Sequence, residues 1–218
     1  MLTQRILISL FLMGVNVIGL TPGTVKAQVA PHAVFPIGPE AVWQPTDSFL
    51  SQHRTEMDKN LIAVMQKGGA SAQAIAVARR LKGEQYLNSF TELGVVDLGT
   101  ISSPNANYAD TEYVLLNGKP PLIEVFNFPS DKIYGQKLQR DPLFRSLRPK
   151  YPNLGPMSRH KFMGMQPRAG GGQRFVFSEA FQEFRAGPIP ARAYFAFDFD
   201  SQGKFLGVSF LKLVESRN

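Results

Sequence analysis

Residues 191–214 read ARAYFAFDFDSQGKFLGVSFLKLV, two aromatic and aliphatic runs on either side of a glycine turn. Phe195, Phe197 and Phe199 recur at every second position, which puts all three rings on one face of a strand. The intervening DSQGK supplies the turn, with Gly203 where a positive φ is needed, so this part of the chain reads as a C-terminal β-hairpin. The stretch DFDSQG also mimics the first half of a calcium loop, with Asp198, Asp200, Gln202 and Gly203 at its first, third, fifth and sixth positions. Its twelfth position is Ser209 and strands flank it in place of helices, so no calcium site is expected.

Working upstream, GVVDLGTI and TEYVLLNGKPPLIEVFNF have the same strand texture, and NGKP between the latter runs is a turn signal. Before them lie two helical patterns. In TDSFLSQHRTEMDKNLIAVMQKGG, Thr46 or Asp47 offers an N-cap, Leu50, Met57, Leu61 and Val64 make one stripe, and Gly68 and Gly69 stop the helix. In SAQAIAVARRLKG, from Ser71 to Gly83, Ala72, Ala74, Ala76 and Ala78 permit a close approach to a neighbour. Helices followed by strands indicate an α+β domain. The expected arrangement is N-terminal helices packed on one face of an antiparallel β-sheet, with a loop-rich basic insertion before the C-terminal β-hairpin.

That insertion is the segment 132–174. Six prolines between residues 129 and 174, together with several glycines, argue for loops. Its one helical candidate is DPLFRSLR, residues 141–148, with Asp141 as N-cap and Pro142 in the first turn. Leu143, Phe144 and Leu147 would share an apolar side while Arg145 and Arg148 project elsewhere, a short amphipathic clip. Just beyond, Phe177, Phe181 and Phe184 fit one helical face, and they and the Phe195 set read most simply as core.

The chain opens with Arg5, about fifteen mainly apolar residues and the small-residue pair Val25 and Ala27, the pattern of a signal peptide over residues 1–27. Asn16 and Pro22 limit the apolar run to less than the roughly 20 residues that span a bilayer. Residues 28–45 carry Pro31, Pro36, Pro39 and Pro45, an extended lead-in, and residues 46–218 form the domain. The sequence contains no cysteine, which excludes disulfides, thiol catalysis, a lipidated cysteine and cysteine-ligated metal. An exported chain without cysteine suits a bacterial periplasm or secretion to the outside better than a eukaryotic secretory route.

Charge is distributed unevenly. Residues 132–174 hold ten Lys or Arg against Asp141 alone, a net +9, whereas residues 28–218 as a whole net +5 and the rest of them therefore −4. Such concentration focuses a field and draws anionic partners. Arg145, Arg148, Arg159, Lys161, Arg168 and Arg174 are the candidate partner-binding residues. RAGGGQR, residues 168–174, lets backbone approach a ligand, yet it lacks the ending of a nucleotide-binding loop and the spaced glycines of a dinucleotide site, so a turn is the simpler reading. The three histidines, His32, His53 and His160, do not make a metal site: His53 and Glu56 together are too few ligands. His160 sits between Arg159 and Lys161, whose charges disfavour its protonation, and near a bound anion it would be the one candidate general base.

The sequence therefore leads to an exported, soluble, non-enzymatic protein that docks an acidic partner through its basic segment. That partner would be a protein surface, an envelope polysaccharide or anionic lipid; nucleic acid is not expected after export, and no cofactor or metal is implied. The alternative is an envelope hydrolase acting on an anionic substrate with His160, Arg168 and Arg174 at its site. A third reading is an accessory protein that uses its proline-rich arm.

Overall fold

The computed structural model describes residues 41–43, 54–82, 85–102, 112–183 and 187–216, all within the unit His32–Asn218. The 1–27 leader, most of the 28–45 lead-in, the helix start at Thr46 or Asp47, His32, His53 and Phe184 lie outside the described residues. Along the chain come β1 (Ala41–Trp43), α1 (Arg54–Lys67), α2 (Ala72–Leu81), β2 (Tyr86–Thr91), β3 (Asp97–Ser102), β4 (Glu112–Leu116) and β5 (Leu122–Glu124). Three short helices follow, α3 (Ser130–Ile133), α4 (Gly135–Arg140) and α5 (Pro142–Leu147), then β6 (Gly155–Pro167), β7 (Gln173–Gln182), β8 (Ala191–Phe199) and β9 (Phe205–Glu215).

The class is α+β with antiparallel strands, but the strands make two sheets where the sequence suggested one. Their orders are β1-β2-β3-β4-β5 and β6-β7-β8-β9. The reason is visible in β4, whose alternate residues are apolar on both faces. Val114 and Leu116 lie in one buried cluster with Leu61 and Met65 of α1 and Ala74, Val77, Ala78 and Leu81 of α2. Leu115 lies in another, with Leu98, Ile123 and the phenylalanines of the second sheet, and the Tyr113 ring meets Phe162 and Phe177 at centroid distances of 6.4 and 5.7 Å. A sheet that is apolar on both faces needs a layer on each.

Local signals set the helix starts. Ser71 Oγ accepts from the Ala74 amide at 3.1 Å, and the Asp141 carboxylate accepts from the Leu143 and Phe144 amides at 2.9 and 3.1 Å, each satisfying donors that the first turn leaves free. Of the α2 alanines, Ala74 and Ala78 are buried, while Ala72 and Ala76 are exposed.

The segment 132–174 is not mainly loop: α3 to α5 and the 13-residue strand β6 occupy most of it. FVFSEAF is not helical either; Phe177 and Phe181 lie on β7, paired with Phe195 and Ala191 of β8 and with Phe162 and Pro156 of β6. Pairing on both sides of β7 supplies what no local propensity provides.

RAGGGQR is the tight turn of the β6–β7 hairpin. The Arg168 amide donates to the Gly172 carbonyl at 2.8 Å, and Gly170 and Gly171 sit at φ 79° and 81°. A side chain on Gly172 would place its Cβ 2.3 Å from the Phe199 carbonyl oxygen, so the close approach that this glycine permits is to the protein's own backbone. Two ties join the sheets at this end. The Gln173 side chain accepts from the Val96 amide at 2.7 Å and donates to the Leu93 and Val96 carbonyls at 3.0 Å each. Lys119, after β4, donates its amide to Gly203 and accepts from the Phe205 amide, at 2.7 and 3.0 Å.

Candidate functional site

The strand β6 sorts its side chains by alternation. Arg159 and Lys161 are exposed; His160 and Phe162 turn the other way, into the face that carries Glu179 and Phe177. The His160 ring meets Phe195 edge to face at 5.3 Å, and its Nε2 lies 3.5 Å from Glu179 Oε2. The same carboxylate oxygen accepts from the Tyr134 hydroxyl, which comes down from the junction of α3 and α4. The His160 and Glu179 side chains are only 7% and 3% exposed. Burial, and after it the Glu179 carboxylate, push the Tyr134 phenol far above its ordinary value, so it stays a hydrogen-bond donor. This polar cluster fastens the helices α3 to α5, which extend the expected clip of residues 141–148 upstream to Ser130, to the sheet. It gives His160 a carboxylate partner inside the domain, correcting the expectation of a histidine standing among cations near a bound anion.

Arg168 and Arg174 converge elsewhere. Arg174 donates Nε and Nη2 to the two carboxylate oxygens of Asp198 at 2.7 and 2.8 Å, and Arg168 Nε lies 3.6 Å from Asp198 Oδ1. The hydrogen bonds to Asp198 push the Arg174 guanidinium above its usual range. Arg174 and Glu179 are five positions apart on β7, hence on opposite faces and roughly 17 Å apart along the strand. His160 and the two arginines therefore do not share a site, and both arginines already have a carboxylate.

The calcium-like DFDSQG is a turn. Asp198 is taken by the arginines, and Asp200 Oδ1 accepts from the Gln202 and Lys204 amides at 2.9 Å each; those backbone bonds, the Lys204 amide first, pull the Asp200 carboxyl below its usual range. Among the described residues no three His, Asp or Glu side chains gather as a metal site. Incubation with EDTA is expected to leave the melting temperature unchanged, as followed by circular dichroism. A reproducible drop that one divalent ion reverses would contradict this and would point to the Asp198–Asp200 turn.

The other cations of 132–174 have no such partner among the described residues. Lys132, Lys137, Arg140, Arg145, Arg148 and Lys150 are exposed on α3 to α5 and the turn after them, and Arg159 and Lys161 are exposed on β6. Among the described residues none of these eight comes within 4.0 Å of a carboxylate oxygen. Arg140 takes a neutral partner, donating to Gln136 at 3.1 Å, and Arg148 lies over the Phe144 ring at 5.7 Å, while Asp141, the nearest acid in sequence to both, is committed to capping α5. Clip and strand place their cations apart, since α3, α4 and α5 lie against β9 while β6 is the opposite edge of the second sheet.

Sequence reasoning missed Glu179 and Tyr134, and also Asp97, a buried carboxylate that accepts from the Leu93 amide and the Asn117 side chain at 2.9 and 2.7 Å. Burial pushes the Asp97 carboxyl up against those stabilising bonds, and the residue fastens the β2–β3 turn to the end of β4. The strand period could have shown that His160 faces away from Arg159 and Lys161; its partner Glu179, 19 residues ahead, and Tyr134, which shares that carboxylate from 26 residues behind, left no local signal. No protein-family model matches the chain, and neither a curated protein nor a solved structure matches it.

Proposed function

We propose that this is an exported, non-enzymatic protein that docks an anionic partner through its basic helical clip, with Lys137, Arg140, Arg145 and Arg148 as the principal contacts. The observation that carries this reading is the set of exposed cations on α3 to α5 that no described carboxylate neutralises. A protein that held these charges for internal pairing would place acids beside them, as it does for Arg168 and Arg174 at Asp198. Guanidinium groups suit planar oxyanions, carboxylate or phosphate, through paired hydrogen bonds. Export, to a bacterial periplasm or beyond it, rests on the leader pattern of residues 1–27 and on the absence of cysteine. The hydrolase alternative is set aside because it needs His160 beside Arg168 and Arg174, and these stand at two places. Arg159 and Lys161, on β6, are secondary contacts in this reading.

The test is retention on immobilised dextran sulfate. Wild type should bind at low salt and elute as the Debye length contracts from about 10 Å at 0.1 M to about 3 Å at 1 M. The variant K137S/R140S/R145S/R148S should elute at markedly lower salt while remaining folded, with a stability change of about 0.5 kcal/mol or less for each substitution because all four side chains are exposed. Equal elution of the folded variant and wild type would reject the clip as the docking surface.

A further inference from the structure

Of the five large apolar side chains that are exposed among the described residues, three belong to β9 and a fourth borders the turn that leads into it. Leu206, Leu211 and Val214, at 54%, 38% and 38% exposure, belong to β9 itself. Val95, 45% exposed, borders Gly203 in the turn that leads into β9. Phe126, 43% exposed, stands two residues before Phe128, whose ring packs on Phe205 at 5.9 Å. Isolated leucines on a surface mean little, whereas gathering along one strand is what an interaction surface shows.

The basic clip packs on the same strand from its Phe210 face, and Val214, opposite Arg192, points to the other face, so that clip and Val214 flank the open edge of β9 from its two sides. Helices α3, α4 and α5 all lie against β9, and the Tyr134 ring at their junction meets Phe210 of β9 at 6.0 Å. Six cations between residues 129 and 151 stand against Asp131 and Asp141, a net +4. Further cations interleave with the apolar residues: Lys204 precedes the strand, Lys212 lies over the Tyr194 ring at 5.1 Å, and Arg192 pairs with Val214. Glu215 is the one acid of β9.

We infer that this edge of the domain seats on an anionic lipid surface, its cations on headgroup phosphates and Leu206, Leu211, Val214 and Phe126 among the headgroups and upper chains. The inference rests on the reading of the clip as an anion-docking surface, and it names the anion. A bilayer interface accommodates apolar side chains and cations side by side, and each component strengthens the other. A soluble polysaccharide would satisfy the charges and leave the apolar residues in water. A second copy pairing along β9 would cover the apolar residues but bring two clips of like charge together around the twofold axis.

Co-sedimentation with vesicles of phosphatidylglycerol and phosphatidylcholine in equal parts, against pure phosphatidylcholine, tests it. Wild type should sediment with the anionic vesicles and stay in solution with the neutral ones. K137S/R140S/R145S/R148S should lose roughly fivefold in partition for each cation removed. L206S/L211S/V214S should lose about tenfold or more on vesicles, from the apolar area left in water, while its elution from dextran sulfate stays that of wild type. In a second measurement, the fluorescence of L206W should shift to shorter wavelength with anionic vesicles, against the background of Trp43, which is only 4% exposed. Wild type that binds dextran sulfate but not anionic vesicles, a triple variant that sediments like wild type, or an L206W without a shift would overturn the membrane inference and leave the docking reading standing. Binding to neither matrix would remove both. A wild-type dimer in sedimentation velocity that the triple variant abolishes would put a second copy on this edge instead.

Discussion

Phe195→Ala is expected to lower the free energy of unfolding by about 4 kcal/mol, the scale of loss that follows when a whole buried ring is truncated. Phe195 is fully buried in the middle of β8, and its ring meets His160 at 5.3 Å, Phe177 at 5.9 Å, Phe197 at 6.0 Å and Tyr134 at 6.1 Å. Truncation leaves a cavity bounded by a strand hydrogen-bonded on both sides, so the backbone cannot close in to fill it. For a domain of this size the melting temperature should fall by roughly 10 °C. Urea denaturation is the measurement, with a lower midpoint at an unchanged slope. A loss below about 1 kcal/mol would mean that the rings do not meet as described.

Tyr134→Phe is expected to cost about 2 kcal/mol near neutral pH, because it removes a buried hydrogen bond to a carboxylate and leaves the Glu179 oxygen short of a donor. Its pH dependence is more telling. Burial first, and then the neighbouring Glu179 carboxylate, raise the phenol above the ordinary value of 10.0. Folded protein therefore keeps a proton that the unfolded chain releases. The resulting contribution to stability is complete below that pH and declines above it, by about 1.4 kcal/mol per pH unit for one proton. Wild type should consequently lose stability faster than the phenylalanine variant between about pH 10 and 11.5. Denaturation curves recorded across that interval would settle the point: identical slopes would show that Tyr134 ionises freely in the folded state.

How much of this was legible in the sequence varies with the range of the signal. Phe195, Phe197 and Phe199 announce β8 because alternation is local, and Asp141 with Pro142 announces α5 because capping is local. β7 was ambiguous, since Phe177 and Phe181 also fit helical spacing; strands on both sides decide the matter, and they come from far along the chain. β6 was hidden by its composition: GPMSRHKFMGMQP has proline near both ends, two glycines and three basic residues, and no β-branched residue. Once β6 is a strand, the place of His160 follows. The pairing of Arg168 and Arg174 with Asp198 had the same cause, because Arg174 and Asp198 oppose each other across β7 and β8, 24 positions apart in sequence. The exposed cations of the clip were readable because exposed charge needs no partner to be recognised.

The side chain of Gln173 does for the two sheets what a further strand would do, offering one acceptor and one donor to the backbone around Val96. Halves of a protein that are stitched in this way are not modules. Cutting the chain between β5 and β6 would leave Leu98 and Leu115 bare on one piece and Phe175 and Phe177 bare on the other. Neither piece would keep its core covered by itself, so the two sheets stand or fall as one folding unit.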